Sequence, residues 1–400
     1  MNTSQEHALD DDSIALRAPQ AQPQAVAHAT AARSRSRTLS GDELERFGAE
    51  IDALRARTVA DLGERDARYI RGILKAVRFT ELGGRVLLMS GLLLSGVWMW
   101  AVWALGVALL AVSKILDNME LGHNVIHGQF DWMGDPHLQG KTFEWDIVGT
   151  SDNWRKTHNF KHHTYTNVHG MDDDIGYDVL RLFPEQKWHP ATLFQPVYAV
   201  IFALLFQWGV AIQNLRVGRV FIGRVTWRQL LREAAPTLRK ARRQLVKDYI
   251  VFPLLAWPVF GMVFLGNLIA NGIRNVWTYT VIFCGHFTTH VQTFPKSVLK
   301  NETRAQWYQR QIMGSSNLSG SKLLHIMTGN LSHQIEHHLF PDVPANRYAE
   351  MAPVVRDICQ RYGQFYNTGS MPGQFGQVIW RILRYSFPSR TTGALAQSSR

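Results

Sequence analysis

Three histidine clusters stand among long apolar runs: His123-Asn-Val-Ile-His127, His158-Asn-Phe-Lys-His162-His163, and His333-Gln334-Ile335-Glu336-His337-His338 followed by Leu-Phe-Pro. Histidines four apart project from one helix face with Cβ atoms about 5–6 Å apart, so each cluster can offer two or three imidazoles to a common centre. One such pair is weak evidence. Three, each beside an apolar segment of membrane length, read as a multi-histidine metal site built where helices leave a bilayer. Neutral imidazole suits iron, zinc, copper or nickel, so ligand type alone does not choose the metal.

The spacings HxxxH, HxxHH and QxxHH with Leu-Phe-Pro behind it resemble those of the membrane fatty acid desaturases, over roughly residues 80–365. Alkane hydroxylases of the wider di-iron group carry differently spaced boxes. Two positions depart from the common pattern: Asn124 stands where Asp is frequent, and Gln334 where many members have His. Gln at that position is typical of the front-end and related branch, which often carries a fused haem domain, but no His-Pro-Gly-Gly haem signature occurs in this chain.

The resemblance implies His123, His127, His158, His162, His163, His337 and His338 as ligands, with His286 of Gly-His-Phe matching the extra ligand on the last span. It also makes the metals two iron ions and dioxygen the co-substrate. Around them, Gln334 is expected to orient a ligand or a metal-bound water, and Glu336, Asp172 and Asp174 to hold imidazoles in their tautomers. The acidic run 171–175 lacks the spacing and glycine of a calcium loop. Trp154, Arg155 and Lys161, on or near box two, are candidates for touching substrate where headgroup and acyl chain meet. His137, His189 and His325 share no box and read as ordinary polar side chains. His169, His290 and His333 stay open, His290 pairing with His286 by spacing and His333 lying just outside the box-three register.

The elements that must position these residues are apolar. The 400 residues carry a formal charge of +11, yet no nucleic-acid-binding motif accompanies it, and anionic lipid headgroups are the better partner. Cys284 and Cys359 form no CxxC pair, which suits a reducing cytosolic face. No cleavable signal sequence is read at the N-terminus. Residues 1–38 read as a disordered tail, 39–85 as cytoplasmic amphipathic helices, 86–365 as the membrane domain and 366–400 as a C-terminal cytoplasmic tail. Ser40 with Glu43 makes a capping box ahead of a helical stripe of Leu44, Phe47, Ile51 and Leu54.

Residues 86–112 contain no charge and are longer than the ~20 residues of one span, so they admit a tilted helix or a tight hairpin. Basic residues at 65–85 place the preceding segment in the cytoplasm. With the metal site cytoplasmic as in desaturases, the chain must turn back near Gly96 and run on through His127. Three further apolar stretches lie at about 191–213, 249–269 and 276–294, and an odd number of crossings would split the boxes. The ten Lys and Arg of 214–248 should stay inside, so 191–213 reads as an interfacial helix anchored by Trp188 and Trp208. A hairpin turning at 271–275 then returns His286 to the box side. The expected architecture is an all-α integral membrane protein of the inner membrane: two transmembrane hairpins (four spans), an interfacial helix, and a cytoplasmic helical cap holding the di-metal site, with both termini cytoplasmic.

The function this implies is oxygen-dependent desaturation of a membrane lipid or acyl thioester. The alternatives are a lipid hydroxylase on the same scaffold and, from another class, a bis-histidine haem electron carrier. Haem is disfavoured because the clusters fall at helix ends and in the polar stretch 128–190. Electrons are assigned to a separate ferredoxin-like donor with its reductase, since the chain has no glycine-rich nucleotide loop.

Overall fold

The computed structural model describes residues 36–389; the expected tail 1–38 lies almost wholly outside them. Helix α1 (Gly41–Ala60) starts at the Ser40–Glu43 capping box, with Phe47, Ile51 and Leu54 on its buried face. That stripe packs on Tyr308, Ile335, Leu339 and Phe340, so this helix braces the segment that carries box three.

Helix α2 (Glu64–Leu88) and helix α3 (Gly96–Ile126) form an antiparallel pair joined by a turn at 89–95, where the charge-free stretch was expected to fold back. Glycine sets their separation. A Cβ on Gly84 would sit 2.7 Å from the Leu110 nitrogen, and one on Gly106 would sit 2.8 Å from the Leu88 nitrogen. Both contacts are with backbone, which cannot yield as a side chain can.

Helix α4 (151–165) carries box two, and residues 190–221 follow as a bent pair containing α5 (Gln195–Leu204) and α6 (Phe206–Leu215), with a 99° bend at Leu205. The expected single interfacial helix is therefore broken. Neither expected anchor stands free: the Trp188 indole donates to the Ser386 carbonyl at 2.9 Å, and Trp208 packs beside Val148, Ala211 and Ala241.

The amphipathic helix α7 (Trp227–Val246) leads through a short helical run to a turn at 256–259, and α8 (Phe260–His286) then runs unbroken to the histidine cluster. This corrects the hairpin expected at 271–275. Asn271, Arg274 and Asn275 look like turn residues in sequence, but all three are buried in mid-helix. The two asparagine amides meet partners there: Asn275 donates to the Leu204 carbonyl at 2.7 Å and Asn271 to Asp248 at 3.2 Å, and Asp248 also takes Lys114 at 2.8 Å and Arg85 at 3.0 Å. A buried ionic knot thus ties α2, α3, the 247–251 turn and α8 together. The real turn at 256–259 meets the α2–α3 turn, since a Cβ on Gly91 would lie 2.9 Å from Val259.

Among the described residues, Gly96–Ile126 and Trp257–His286 are long and apolar enough to cross a membrane, and the bent pair would make a third. The remaining elements near the site are α9 (Arg304–Met313), α10 (Gln334–Leu339), α11 (Tyr348–Arg361), and a two-stranded parallel pair of β1 (Asn317–Ser319) with β2 (Thr368–Ser370). Within the expected C-terminal segment, α12 (Met371–Ser386) packs against the domain, its Val378 and Ile382 joining the core formed by Phe183, Phe202 and Phe283. An apolar face of that helical period buries itself when a core is available.

Gly84→Val should lower stability by about 2–3 kcal/mol through overpacking against Leu110, whereas Gly72→Ala, which faces open space, should raise it by roughly 0.5–1 kcal/mol. Thermal unfolding of the detergent-solubilised protein separates the two. Equal midpoints for Gly84→Val and the parent would disprove the close-contact account.

Candidate metal centre

The four segments deliver their histidines by different means. Box one ends α3, where residues Asp117–His123 are wound as a π-helix, and box two lies on a second π-helical stretch, Arg155–His162. A π turn adds a residue to the helical repeat and re-aims the side chains beyond it, a device common at functional sites. His286 is the last residue of α8, and His337 and His338 sit on the short helix α10. All eight are brought together. Ligand nitrogens of His123, His127, His158 and His337 lie within 4.8 Å of one another, and so do those of His162, His286 and His338. His163 stands between the groups, its ring 4.7 Å from His127 and 4.4 Å from His338.

The nitrogens themselves test whether metal fits. His123 Nε2 faces His158 Nε2 at 3.3 Å, and His286 Nε2 faces His338 Nε2 at 3.1 Å. His127 Nε2, His337 Nε2 and both nitrogens of His163 are buried with no protein partner. Burial holds His158, His163, His337 and His338 well below the ordinary histidine pKa of 6.5, with neighbouring imidazoles adding to the effect. The site is thus a set of converging, neutral lone pairs. Such groups are costly to bury unless something accepts them, and a transition metal does.

The outer nitrogens are held. The Asp172 carboxylate takes His162 Nδ1 at 3.0 Å, and Asp174 takes His158 Nδ1 at 3.3 Å while lying 3.7 Å from His162. Burial alone would lower His162, but Asp172 and then Asp174 outweigh it and leave its pKa raised. On the inner side, the Gln334 amide meets His286 Nε2 at 2.9 Å, an approach that the missing side chain at Gly285 permits. Asn124, at the position where Asp is frequent, still contacts His123 Nδ1 at 3.1 Å. Glu336 behaves otherwise than expected: it accepts from Asn317 and Tyr366, and the imidazole it faces is His333 at 4.0 Å, outside the eight. Sequence spacing missed Gln311, which meets His338 Nδ1 at 3.0 Å, and the Gly314 carbonyl, 3.2 Å from His286 Nδ1. Neither lies in a motif.

The other histidines among the described residues stay apart. His290 follows the end of α8, so its spacing from His286 is not helical, and its ring packs on Phe365. His333 stacks near His325, and His169 lies 3.8 Å from Glu185. His137 and His189 are exposed.

A narrow, mainly apolar cavity opens against His123, His158, His162 and His286 and runs between α3, α6 and α8. Trp154 lines it, with its indole stacked on His158 at 4.2 Å. Tyr177, also on the wall, is held at φ 55°, a left-handed conformation unusual for an aromatic residue. A separate groove of about 720 Å³ adjoins the cavity, sharing Thr150 and Asn214 with it. Seven cations face that groove, Lys156, Lys161, Arg216, Arg219, Arg239, Lys240 and Arg243, against Glu144, Asp152 and Glu233. Of the three residues expected at substrate, Trp154 thus lines the cavity and Lys161 the groove. Arg155 lines neither, being held by Asp152 and, at 2.7 Å, by the Gly140 carbonyl.

The fatty acid desaturase family model matches residues 98–370. An NADPH-dependent stearoyl-CoA 9-desaturase of Mycobacterium tuberculosis is 46% identical over 362 residues, which cover 88% of this chain and 82% of the relative. An sn-1 linoleoyl-lipid 6-desaturase of Synechocystis is 26% identical over 272 residues, 65% of this chain and 74% of that one. An acyl-lipid (8-3)-desaturase of Mortierella alpina is 24% identical over 239 residues, 54% of this chain and 52% of the relative.

Asp172→Asn keeps the shape but removes the charge that orients His162, and should weaken metal retention about 10–100-fold. Metal analysis across a chelator titration reads this directly. Retention equal to the parent would show that the carboxylate does not support the cluster.

Proposed function

This chain belongs to the membrane fatty acid desaturase family, and from that premise we propose that it inserts a double bond into a long acyl chain at two irons held by the eight histidines, consuming dioxygen. The carrying observation is the apolar cavity whose wall includes four of those imidazoles. When bound, the irons supply with dioxygen the oxidising power that removing hydrogen from unactivated methylenes demands, which no side chain can provide. His123, His127, His158 and His337 would hold one metal and His162, His286 and His338 the other, with His163 between them. Asp172 and Asp174 fix imidazole orientation from behind, while Gln334 stands on the inner side, beside His286 Nε2, where it can orient a metal-bound water. The chain's own share of catalysis is geometric. Identical methylenes differ only in position, so the narrow walls around Trp154, Tyr177 and Phe206 must hold one segment beside the cluster and keep water out.

The basic groove at Thr150 and Asn214 supports a phosphate-rich carrier such as coenzyme A, and the Mycobacterium tuberculosis relative, a stearoyl-CoA 9-desaturase by name, agrees with an acyl thioester. That relative is also NADPH-dependent. We assign the electrons here to NADPH through a separate reductase, with or without a ferredoxin-like carrier, docking on the basic face by charge complementarity.

We place the histidine cluster, the 214–248 loop and both termini on the cytoplasmic side of the inner membrane, with the touching turns at 89–95 and 256–259 at the far end. Four helical legs then form two hairpins, and the bent pair at Leu205 lies along the membrane without crossing it, which keeps every box on one side. With α2 as the first leg, the cytoplasmic part expected over 39–85 ends within that helix, and α12 closes the domain beyond 365.

Purified protein should hold about two irons per chain, and gas chromatography of fatty acid methyl esters should reveal a new monounsaturated acid in cells that express it. His337→Ala should abolish that product and lower iron while leaving membrane insertion intact. One zinc and no iron in an active preparation would sink the assignment. For topology, a cysteine at Arg228 in a chain lacking Cys284 and Cys359 should react with a membrane-impermeant thiol reagent only in opened cells, and one at Leu93 in intact cells. Reaction of the position-228 cysteine in intact cells would refute the orientation.

A further inference from the structure

The reaction cavity has two thin ends. One is the Thr150–Asn214 boundary with the basic groove. At the other, Gln207 and Asn275 line both the cavity and an open apolar groove of about 830 Å³ on the outer face of α5, α6 and α8. Leu204, Leu205, Leu268 and Ile273, around 50% exposed, form the rim of that groove, as suits a surface in contact with lipid tails. Only side chains separate the two spaces. The break at Leu205 explains why: it frees the Leu204 carbonyl, which takes the Asn275 amide at 2.7 Å, and that bond latches α8 to the broken pair. Gln207 lies one turn beyond, 8% exposed, with its Oε1 buried and unpartnered. A buried carbonyl without a donor costs about 1–3 kcal/mol, so Gln207 is weakly held where it stands. Along α6, Gln207 and Asn214 are seven residues apart, about 10 Å, and the two ends differ in character, one cationic and one apolar.

We infer that Gln207 and Asn275 form a side gate through which the methyl end of the acyl chain passes between the reaction cavity and the bilayer. The occupant of the outer groove is the same chain that reacts, because the groove continues the cavity through a shared wall and offers it only apolar surface. The identity of that chain rests on the desaturase reading above. A chain whose charged head sits in the basic groove can in this way load and leave sideways, without drawing its methyl end past the histidine cluster.

The test places a cysteine at the gate, Gln207→Cys, in the full chain with Cys284→Ala and Cys359→Ala, metal-loaded and reconstituted in phospholipid vesicles. A bilayer-partitioned alkyl maleimide should label it and a charged, water-soluble maleimide should not. Stearoyl-CoA at about ten times its Kd should slow the labelling roughly tenfold, by simple occupancy. The same measurement at Asn275→Cys gives an independent reading. Absence of alkyl labelling, equal labelling by the charged reagent, or labelling indifferent to stearoyl-CoA would each overturn the gate. In a second arm, Gln207→Ala should raise the rate on behenoyl-CoA relative to stearoyl-CoA by about tenfold, since the extra methylenes then reach the apolar groove, and an unchanged ratio counts against the gate. A parent protein that makes no unsaturated product from either thioester defeats the desaturase reading, and the contrast between alkyl and charged maleimide, which needs no thioester, still decides the gate.

Discussion

Eight imidazoles buried within a few ångströms of one another, most of them neutral, are the constraint on which the rest of this structure depends. Their inner lone pairs converge, and most of the rings are held from outside against turning towards a neighbouring donor. The chain does this with a shell drawn from distant segments. Asp172 and Asp174 come from the loop after box two, Gln311 and the Gly314 carbonyl from α9 and its end, and Asn124 from within box one. The third box is fixed less by its own short helix than by the core of Phe47, Tyr308, Ile335 and Phe340 on which that helix lies.

The helices that bring the clusters together are themselves registered by close backbone contact and buried charge. Gly84 and Gly106 let α2 and α3 approach until backbone meets backbone, which sets where His123 and His127 emerge. The knot of Asp248 with Lys114 and Arg85 fixes α3 against α8, and so fixes His123 relative to His286. Such a buried cluster adds little net stability, because desolvating the ions offsets their attraction, but breaking one member leaves a charge unpaired. It works as a device for alignment.

The shape of the reaction space comes from this alignment. The cavity lies between α3, α6 and α8 because those helices converge on the cluster, and its two ends take their character from what adjoins them: a basic groove under α7 and an apolar groove where the α5–α6 pair breaks. In the proposed function one long amphiphile lies in that order, charged head at one end and methyl terminus at the other, with one methylene segment beside the histidine cluster.

The sequence alone determined the chemistry. Histidines at fixed spacing beside apolar runs, the capping box at Ser40, the return of the chain near Gly96 and the His286 position were all legible, because each depends on local periodicity or on a motif. Asp172 and Asp174 were legible too, through proximity in sequence to box two. Only tertiary structure decided where polar residues inside apolar runs belong. Asn271, Arg274 and Asn275 spell a turn in sequence, yet α8 carries them buried, because Asp248 and the free carbonyl of Leu204, both remote in the chain, satisfy the polar groups of the two asparagines. The same holds for Glu336, drawn away from the boxes by Asn317 and Tyr366, for Gln311, drawn in without a motif, and for α12, which pairs its apolar face with a core that no local pattern announces. Local pattern fixes which face of a helix is apolar and which histidines are candidates for a common centre; the partner that satisfies a buried polar group is chosen by packing across the chain.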